Sequence, residues 1–331
     1  MLDMMATMRR LAGGAAVLAA LTLPGAAAAD TMRIAFGDIA TVESLHFLAA
    51  VERAKEKGVD IEITYFKSED VAAQAVVSGS ADIGVGTPYA LIQKVKAPIR
   101  VFLQLSTLRF YPIVNAEAYK TWQDLDGQEI AVHARGSGTE AIMNLMAQKE
   151  RIKYGKVSYV PGAEVRAGAL LQGNIKASIV DAANLAMLME KAPGKFVVLP
   201  LGKVKASDEA LYANTDYLAK NAAAVDILVE SILTTWRDVQ ANPQAIVELR
   251  AKYNLLPDAT PEMVKEIDPF FKDLSDAKAL PVNGGVESAA GDDLVFYSFA
   301  GEVEGNPAEL DVAQFWDFGP LDRALEKLGK Q

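Results

Sequence analysis

A chain of 331 residues, 51% hydrophobic and 23% charged, has the balance of a globular protein with room for two domains of ordinary size. Its net charge of −10, with no basic stripe, argues against nucleic acid as a partner, although a local cleft on an acidic protein can still be positive. The absence of cysteine removes thiolate catalysis, disulfides and cysteine-based metal sites.

At the N-terminus Arg9 and Arg10 form a positive region, residues 11–23 are apolar, Pro24 and Gly25 break the run, and Ala27-Ala28-Ala29 precedes Asp30. That is the pattern of a cleavable secretory signal peptide over 1–29. The apolar run is shorter than the roughly 20 residues a spanning helix needs. The mature protein is therefore expected to be soluble and periplasmic.

Short apolar strands then alternate with helical segments. Strands are expected at 32–37 (MRIAFG), 61–66 (IEITYF), 81–85 and 99–105, with helices at 44–57, after Ser68 and after Pro88. The pattern restarts with strands at 129–133 (EIAVH), 157–160, 177–180 and 196–199, and with helices at 137–148, 164–171 and from Asp181. Strands alternating with helices imply an α/β protein whose sheets are largely parallel and covered on both faces. The stretches VAAQAVVSGSADIGVGTP from Val71 and VRAGALLQGNIKASIVDA from Val165 align without gaps at an offset of 94 residues, implying two lobes of one design.

From about residue 212 the chain reads as mainly helical. An amphipathic segment at 222–241 contains Trp236 and stops at Asn242-Pro243, and a terminal helix is expected at 321–328. These helices have no further sheet to cover, so they should pack back on the first lobe. The chain would then cross twice, near 108–114 and 201–213, giving two hinge strands. The expected division is 1–29 signal peptide, 30–110 plus 212–331 lobe one with the C-terminal helices, and 111–211 lobe two.

Five segments, in order along the mature chain, carry a family resemblance: AAQAVVSGSADIGVGTP (72–88), DLDGQEIAVHARGSGT (124–139), LLQGNIKASIVDAANL (170–185), GGVESAAGDDLVFYSFAG (284–301) and FWDFGPLDRALEKLGK (315–330). The chain resembles the nitrate/taurine/alkanesulfonate group of periplasmic binding proteins, which also includes binders of thiamine-pyrimidine precursors. The resemblance implies a two-lobed periplasmic-binding-protein fold, capture of a small solute without chemistry, delivery to the membrane permease of an ABC importer, a monomer, and no cofactor. Lys176 stands where the second lobe of the group usually repeats an acidic residue, opposite Asp82 of the first.

Ligands of doubly wound sheets bind outside the carboxyl ends of the strands, so the strand-to-helix junctions supply the candidates. In lobe one these are Asp38, Ser68, Thr87, Pro88, Tyr89 and Arg109; in lobe two they are Arg135, Ser137, Gly138, Thr139, Asp181 and Asn184. Ser137-Gly138-Thr139-Glu140 has capping-box spacing, and a helix N-terminus suits a sulfonate or carboxylate. Ser137 and Thr139 cap that helix, contact the ligand, or do both. Thr87 is an N-cap or a contact, with Pro88 at a tolerated first-turn position. Tyr89 stacks on a ligand or packs in the core. Arg109 and Arg135 could pair with an anion through a bidentate fork. Asp181 would favour an amine, orient an arginine, or cap a helix. His46 and His133 have no second ligand at metal spacing, so no metal site is expected.

A small organic anion such as a taurine-like sulfonate is the expected solute, with a heteroaromatic or pyrimidine-type solute as the alternative. An exported enzyme on the same fold would need a nucleophile elbow, paired carboxylates or a phosphate loop, and no such motif can be located. Sequencing of periplasmic material should begin at Asp30. Recovery of residues 11–23 in an integral membrane fraction would refute cleavage.

Overall fold

The computed structural model describes residues 31–202 and 204–331; the expected signal peptide lies outside the described residues. Ten strands form two five-stranded sheets. The first contains β1 (Met32–Phe36), β2 (Ile61–Tyr65), β3 (Ile83–Gly86), β4 (Ile99–Gln104) and β10 (Ala210–Asn214), in the order β2-β1-β3-β10-β4. The second contains β5 (Phe110–Asn115), β6 (Glu129–Val132), β7 (Lys156–Tyr159), β8 (Ala177–Asp181) and β9 (Phe196–Val198), in the order β7-β6-β8-β5-β9.

The two orders are the same design. In each sheet the first two βα units lie parallel, with Ile34 beside Ile63 and Ile83 in one and Ile130 beside Val157 in the other. In each, one antiparallel strand is inserted next to the third, and that strand arrives from the other half of the chain. β10 pairs antiparallel with β3 and β4, and β5 with β8 and β9. Each sheet is thus largely parallel, as expected, with one strand of five running against the others. The two inserted strands follow the crossings at 105–109 and 199–209, where hinge strands were expected near 108–114 and 201–213. The crossings pair with each other, through the Thr107–Ser207 bridge and through Leu105 and Ser106 N–H groups donating to the Glu209 carbonyl at 2.9 and 3.1 Å.

Helices cover the sheets as their apolar stripes require. The helix Ala222–Ala241 has the expected bounds and buries Leu228, Ile232, Leu233 and Trp236 in one cluster with Ile34, Phe47 and Leu211. Trp236 donates its indole N–H to the Leu105 carbonyl at 3.1 Å and lies 4.4 Å from the His46 ring. The C-terminal helices thus pack against the first sheet. Helix Ala163–Gln172 packs with β8 through Ala167 and Leu170. The terminal helix runs over Gly319–Leu328, two residues longer at its start than expected. Among the described residues no helix is long and apolar enough to cross a membrane.

A buried polar knot fastens the crossing at 199–209 to the rest. The Asp293 carboxylate accepts the Ser207 N–H at 2.6 Å, the Ser207 hydroxyl at 2.8 Å and the Tyr89 hydroxyl. Trp316 donates to the Tyr89 hydroxyl at 2.9 Å, and Tyr297 to the Ser207 carbonyl at 2.8 Å.

Candidate functional site: an acidic cleft between the sheets

A cleft opens where the carboxyl ends of β1, β3, β6 and β8 face one another, the position the topology favours for a ligand. It has two adjoining chambers. The one beside the Gly138 helix start, the inner, is walled by Asp38, Glu69, His133, Ser137, Thr139 and Arg166, among others. The other, the outer, is walled by His46, Arg109, Asp181 and Asp273 over an apolar surface that includes Leu105, Phe270 and Leu280. Glu43, Phe110, Asp208 and Glu209 belong to both.

Carboxyl groups dominate. Asp208 and Glu209 stand on the crossing that the Asp293 knot anchors, Glu43 in the turn before the helix Leu45–Glu56, and Glu69 in the first turn of the helix Glu69–Val77. Removal from water is the largest influence on each, and neighbouring carboxylates add to it. Together they push Glu69 and Glu209 up to about 8. Glu43 and Asp208 are driven well above the usual carboxylate range. Asp38 is also raised, chiefly by burial.

One buried cation answers them. Arg166 is 1% exposed and is pinned by its Nε–H donating to the Ile179 carbonyl at 3.0 Å and its Nη1 to the Val160 carbonyl at 2.9 Å. Burial lowers its pKa, while Glu43, Asp181 and Asp38 oppose that. His133 carries no charge here: burial, helped by Arg166, takes it down to about 4. Its Nδ1 accepts the Gly162 N–H at 3.3 Å, so the 3.8 Å approach to Asp38 is not an ion pair. Burial likewise holds His46 at about 4, opposed by the Glu43 and Leu105 backbone carbonyls, which favour its protonated form.

The sequence candidates separate into groups. Asp38, Ser137, Gly138 and Thr139 are brought together at the inner chamber, and Arg109 and Asp181 at the outer. Most of their polar capacity is already used within the protein. Ser137 Oγ accepts the Glu140 N–H at 3.4 Å and donates to the Ala134 carbonyl at 2.8 Å, while Thr139 Oγ1 accepts the His133 N–H at 3.0 Å. Asp181 caps the helix Ala182–Lys191, accepting the Asn184 backbone N–H at 2.9 Å and its side-chain amide at 2.7 Å. Arg109 is paired with Asp273 at 2.7 Å.

Tyr89, Ser68, Arg135, Thr87 and Pro88 line neither chamber. Tyr89 is fully buried in the Asp293 knot, so it cannot stack on a ligand in the cleft. Ser68 does not cap its helix; its hydroxyl bonds the Asp70 carboxylate instead. Arg135 is exposed, lies over the Tyr159 ring at 5.2 Å, and lines a separate hollow with Thr87 and Pro88. Thr87 is not an N-cap, since the helix Tyr89–Lys94 begins after Pro88; the Thr87 N–H meets Glu69 Oε2 at 3.1 Å.

The helix start at Gly138, the expected anion site, faces one of the protein's own carboxyls. A Cβ at Gly138 would lie 3.1 Å from Asp208 Oδ1 and 2.4 Å from Leu108 Cδ2, so a larger residue would push those side chains aside. Sequence reading passed over Glu43, Glu69, Arg166, Asp208 and Glu209. Arg166 had a signal: it falls on the buried stripe Ala163, Ala167, Leu170, where an arginine needs a reason.

Residues 47–246 match the family model described as NMT1/THI5 like. The chain belongs to that family. A protein of Brucella abortus (strain 2308) that carries the provisional name of binding protein is 26% identical over 251 residues, covering 71% of this chain and 76% of the relative. Among solved structures, one from Bordetella bronchiseptica RB50 superposes with a TM-score of 0.70 at 24% identity, over 91% of this chain and 98% of that one. The periplasmic nitrate-binding protein NrtA of Synechocystis PCC 6803 gives 0.68 at 14%, over 90% and 89%. The alkanesulfonate-binding protein SsuA of Xanthomonas axonopodis pv. citri, bound to MOPS, gives 0.60 at 16%, over 83% and 94%. The family and fold expected from the five sequence segments are those found.

The raised carboxyls set the direction of a pH effect. Between about 6.5 and 8 the folded chain keeps protons on Glu69 and Glu209 that the unfolded chain has released, so stability falls as pH rises. The two histidines act oppositely, but their contribution lies below about 6.5, where the unfolded chain takes up protons that the folded one does not. The ligand-free protein should therefore melt at a lower temperature at pH 8 than at pH 6.5. A melting temperature that is flat or rising over that interval would contradict the assignment.

Proposed function

We propose that this chain is the exported solute-binding component of an ABC importer, which holds a small molecule in the cleft between its two halves and hands it unchanged to a membrane permease. The observation that carries the reading is the cleft itself. Two copies of one βα design turn their strand ends toward a shared space, joined by two paired crossings that could act as a hinge. Membership of the NMT1/THI5-like family and the likeness to periplasmic binding proteins support it. Capture without turnover is part of the proposal, as is a division into lobes at 30–110 plus 212–331 and 111–211.

A sulfonate, the solute expected from the sequence, meets an electrostatic obstacle. The cleft offers it one unpaired guanidinium, Arg166, against Asp38, Glu43, Glu69, Asp208 and Glu209. An anion would be bound only with most of those carboxyls protonated, and Asp208 already stands at the helix start that would serve it. A heteroaromatic solute bearing N–H donors is better matched to acceptor-rich walls and to Phe110 and Phe270.

Protein purified from its own host under non-denaturing conditions should carry a small molecule visible by native mass spectrometry and recoverable intact. X-ray scattering should show a smaller radius of gyration for the loaded protein than after the solute is stripped. Chemical conversion of that molecule by the purified protein would instead favour an enzyme.

A further inference from the structure

We infer that Arg166 anchors the ligand: its free Nη2 takes the carboxylate of a small organic acid in the inner chamber, and the ring of that acid lies along the apolar wall of the outer one. This rests on the solute-binding reading above and adds an acid group to the ring solute favoured there.

Arg166 is a cation that the fold has fixed and left incomplete. Its Nε and Nη1 are tied to the Ile179 and Val160 carbonyls, which pins the guanidinium plane. Nη2 makes no hydrogen bond among the described residues. It is not one of the polar atoms sealed off without a partner either, so it keeps open surface on the chamber that Arg166 lines. A side chain only 1% exposed ordinarily closes every N–H on a partner. The carboxyls that oppose it, Glu43, Asp181, Asp38 and Glu164, act on it as charges, and none of them hydrogen-bonds it.

The surroundings choose the anion. Glu43, Glu69, Asp208 and Glu209 are raised by burial and by neighbouring carboxylates. Near neutral pH they therefore hold protons, the condition an anion needs here, and present O–H donors beside Arg166. A carboxylate matches these acids in basicity and accepts their O–H groups in short, charge-assisted bonds; a sulfonate is too weak a base to do so. Phe110 stands on both chambers, so a ring attached to that carboxylate meets it and then Phe270 and Leu280.

Binding then depends on pH. Asp208 faces Glu209, Glu69 and Asp38; Glu43 faces Asp181, Asp208, Glu209 and Asp38; Glu69 faces Glu209 and Asp38. His133, also on the chamber, is neutral. Each carboxyl that ionises sets another negative charge beside the bound one. The ligand thus holds protons on, and affinity falls as pH rises through about 8, where Glu69 and Glu209 release theirs in the free protein.

The test uses one ring with three heads: benzoate, benzamide and benzenesulfonate. Each is titrated by calorimetry, at millimolar concentration, into the full mature protein stripped of solute, at pH 7 and at pH 9. Benzoate, ionised throughout, should bind with proton uptake and weaken about tenfold per pH unit for each proton that must stay. At pH 7 the other two should bind about tenfold more weakly or less. Arg166→Gln should abolish the preference for benzoate over benzamide, whereas a variant that had only loosened its helix would weaken both alike. Glu209→Gln stays uncharged at every pH and should flatten the benzoate pH profile by about one proton. If Arg166→Gln fails to fold, the Glu209→Gln profile carries the comparison.

Benzamide or benzenesulfonate binding as tightly as benzoate would overturn the inference and leave the solute-binding reading standing. So would benzoate binding that ignores pH or that is unchanged in Arg166→Gln. Silence from all three probes, or a carried-over molecule with no acid group, also overturns it, and recovery of any carried-over molecule intact still supports solute binding.

Discussion

Asp293 is the constraint on which the site depends. A carboxylate with no exposed surface is costly unless its lone pairs are filled, and here the Ser207 N–H, the Ser207 hydroxyl and the Tyr89 hydroxyl fill them. Burial still lifts it to about 6, with those hydrogen bonds holding it down. The consequence is positional. Ser207 is fixed, so its neighbours Asp208 and Glu209 are delivered into the cleft at a set height, against Gly138 of the other half. A network that reads as core packing therefore orients the two carboxyls that both chambers share.

Duplication explains why the cleft is polar on both sides but not symmetric. At the 94-residue offset Glu69 corresponds to Ala163 and Arg166 to Ala72. Equivalent helices thus present a carboxyl from one half and a guanidinium from the other. The crossings, which belong to neither repeat, add Asp208 and Glu209 and tip the balance to negative. Much of what the strand-to-helix junctions offer is spent internally: Ser137, Thr139 and Asp181 serve their own helices. Arg166, by contrast, is held at the inner chamber by the Ile179 and Val160 carbonyls.

The fold was legible because its signals are periodic. Eight strands and the helix Ala222–Ala241 followed from apolar alternation and from stop signals such as Asn242-Pro243. The candidate site was legible where it coincides with strand ends, at Asp38, Arg109, Ser137, Gly138, Thr139 and Asp181. Glu43 lies in a turn, and Asp208 and Glu209 lie in a crossing, where no local pattern separates an inward carboxyl from a solvated one. Tyr89 left both readings open because a tyrosine beside a strand end reads the same whether it faces a cleft or an aspartate 204 residues away. At Gly138, too, the carboxyl that stands beside the helix start, Asp208, comes from a distant segment that no local pattern announces.

The central claim is that cleft carboxyls hold protons near neutral pH in the ligand-free protein. Carbon-13 NMR of side-chain carboxyls, followed across pH in the stripped protein, reads this directly. Resonances with midpoints near 8, one lost in Glu209→Gln and the others shifted in Asp208→Asn, are the predicted result. A spectrum in which every carboxyl titrates below about 5, as free aspartate and glutamate side chains do, would contradict it.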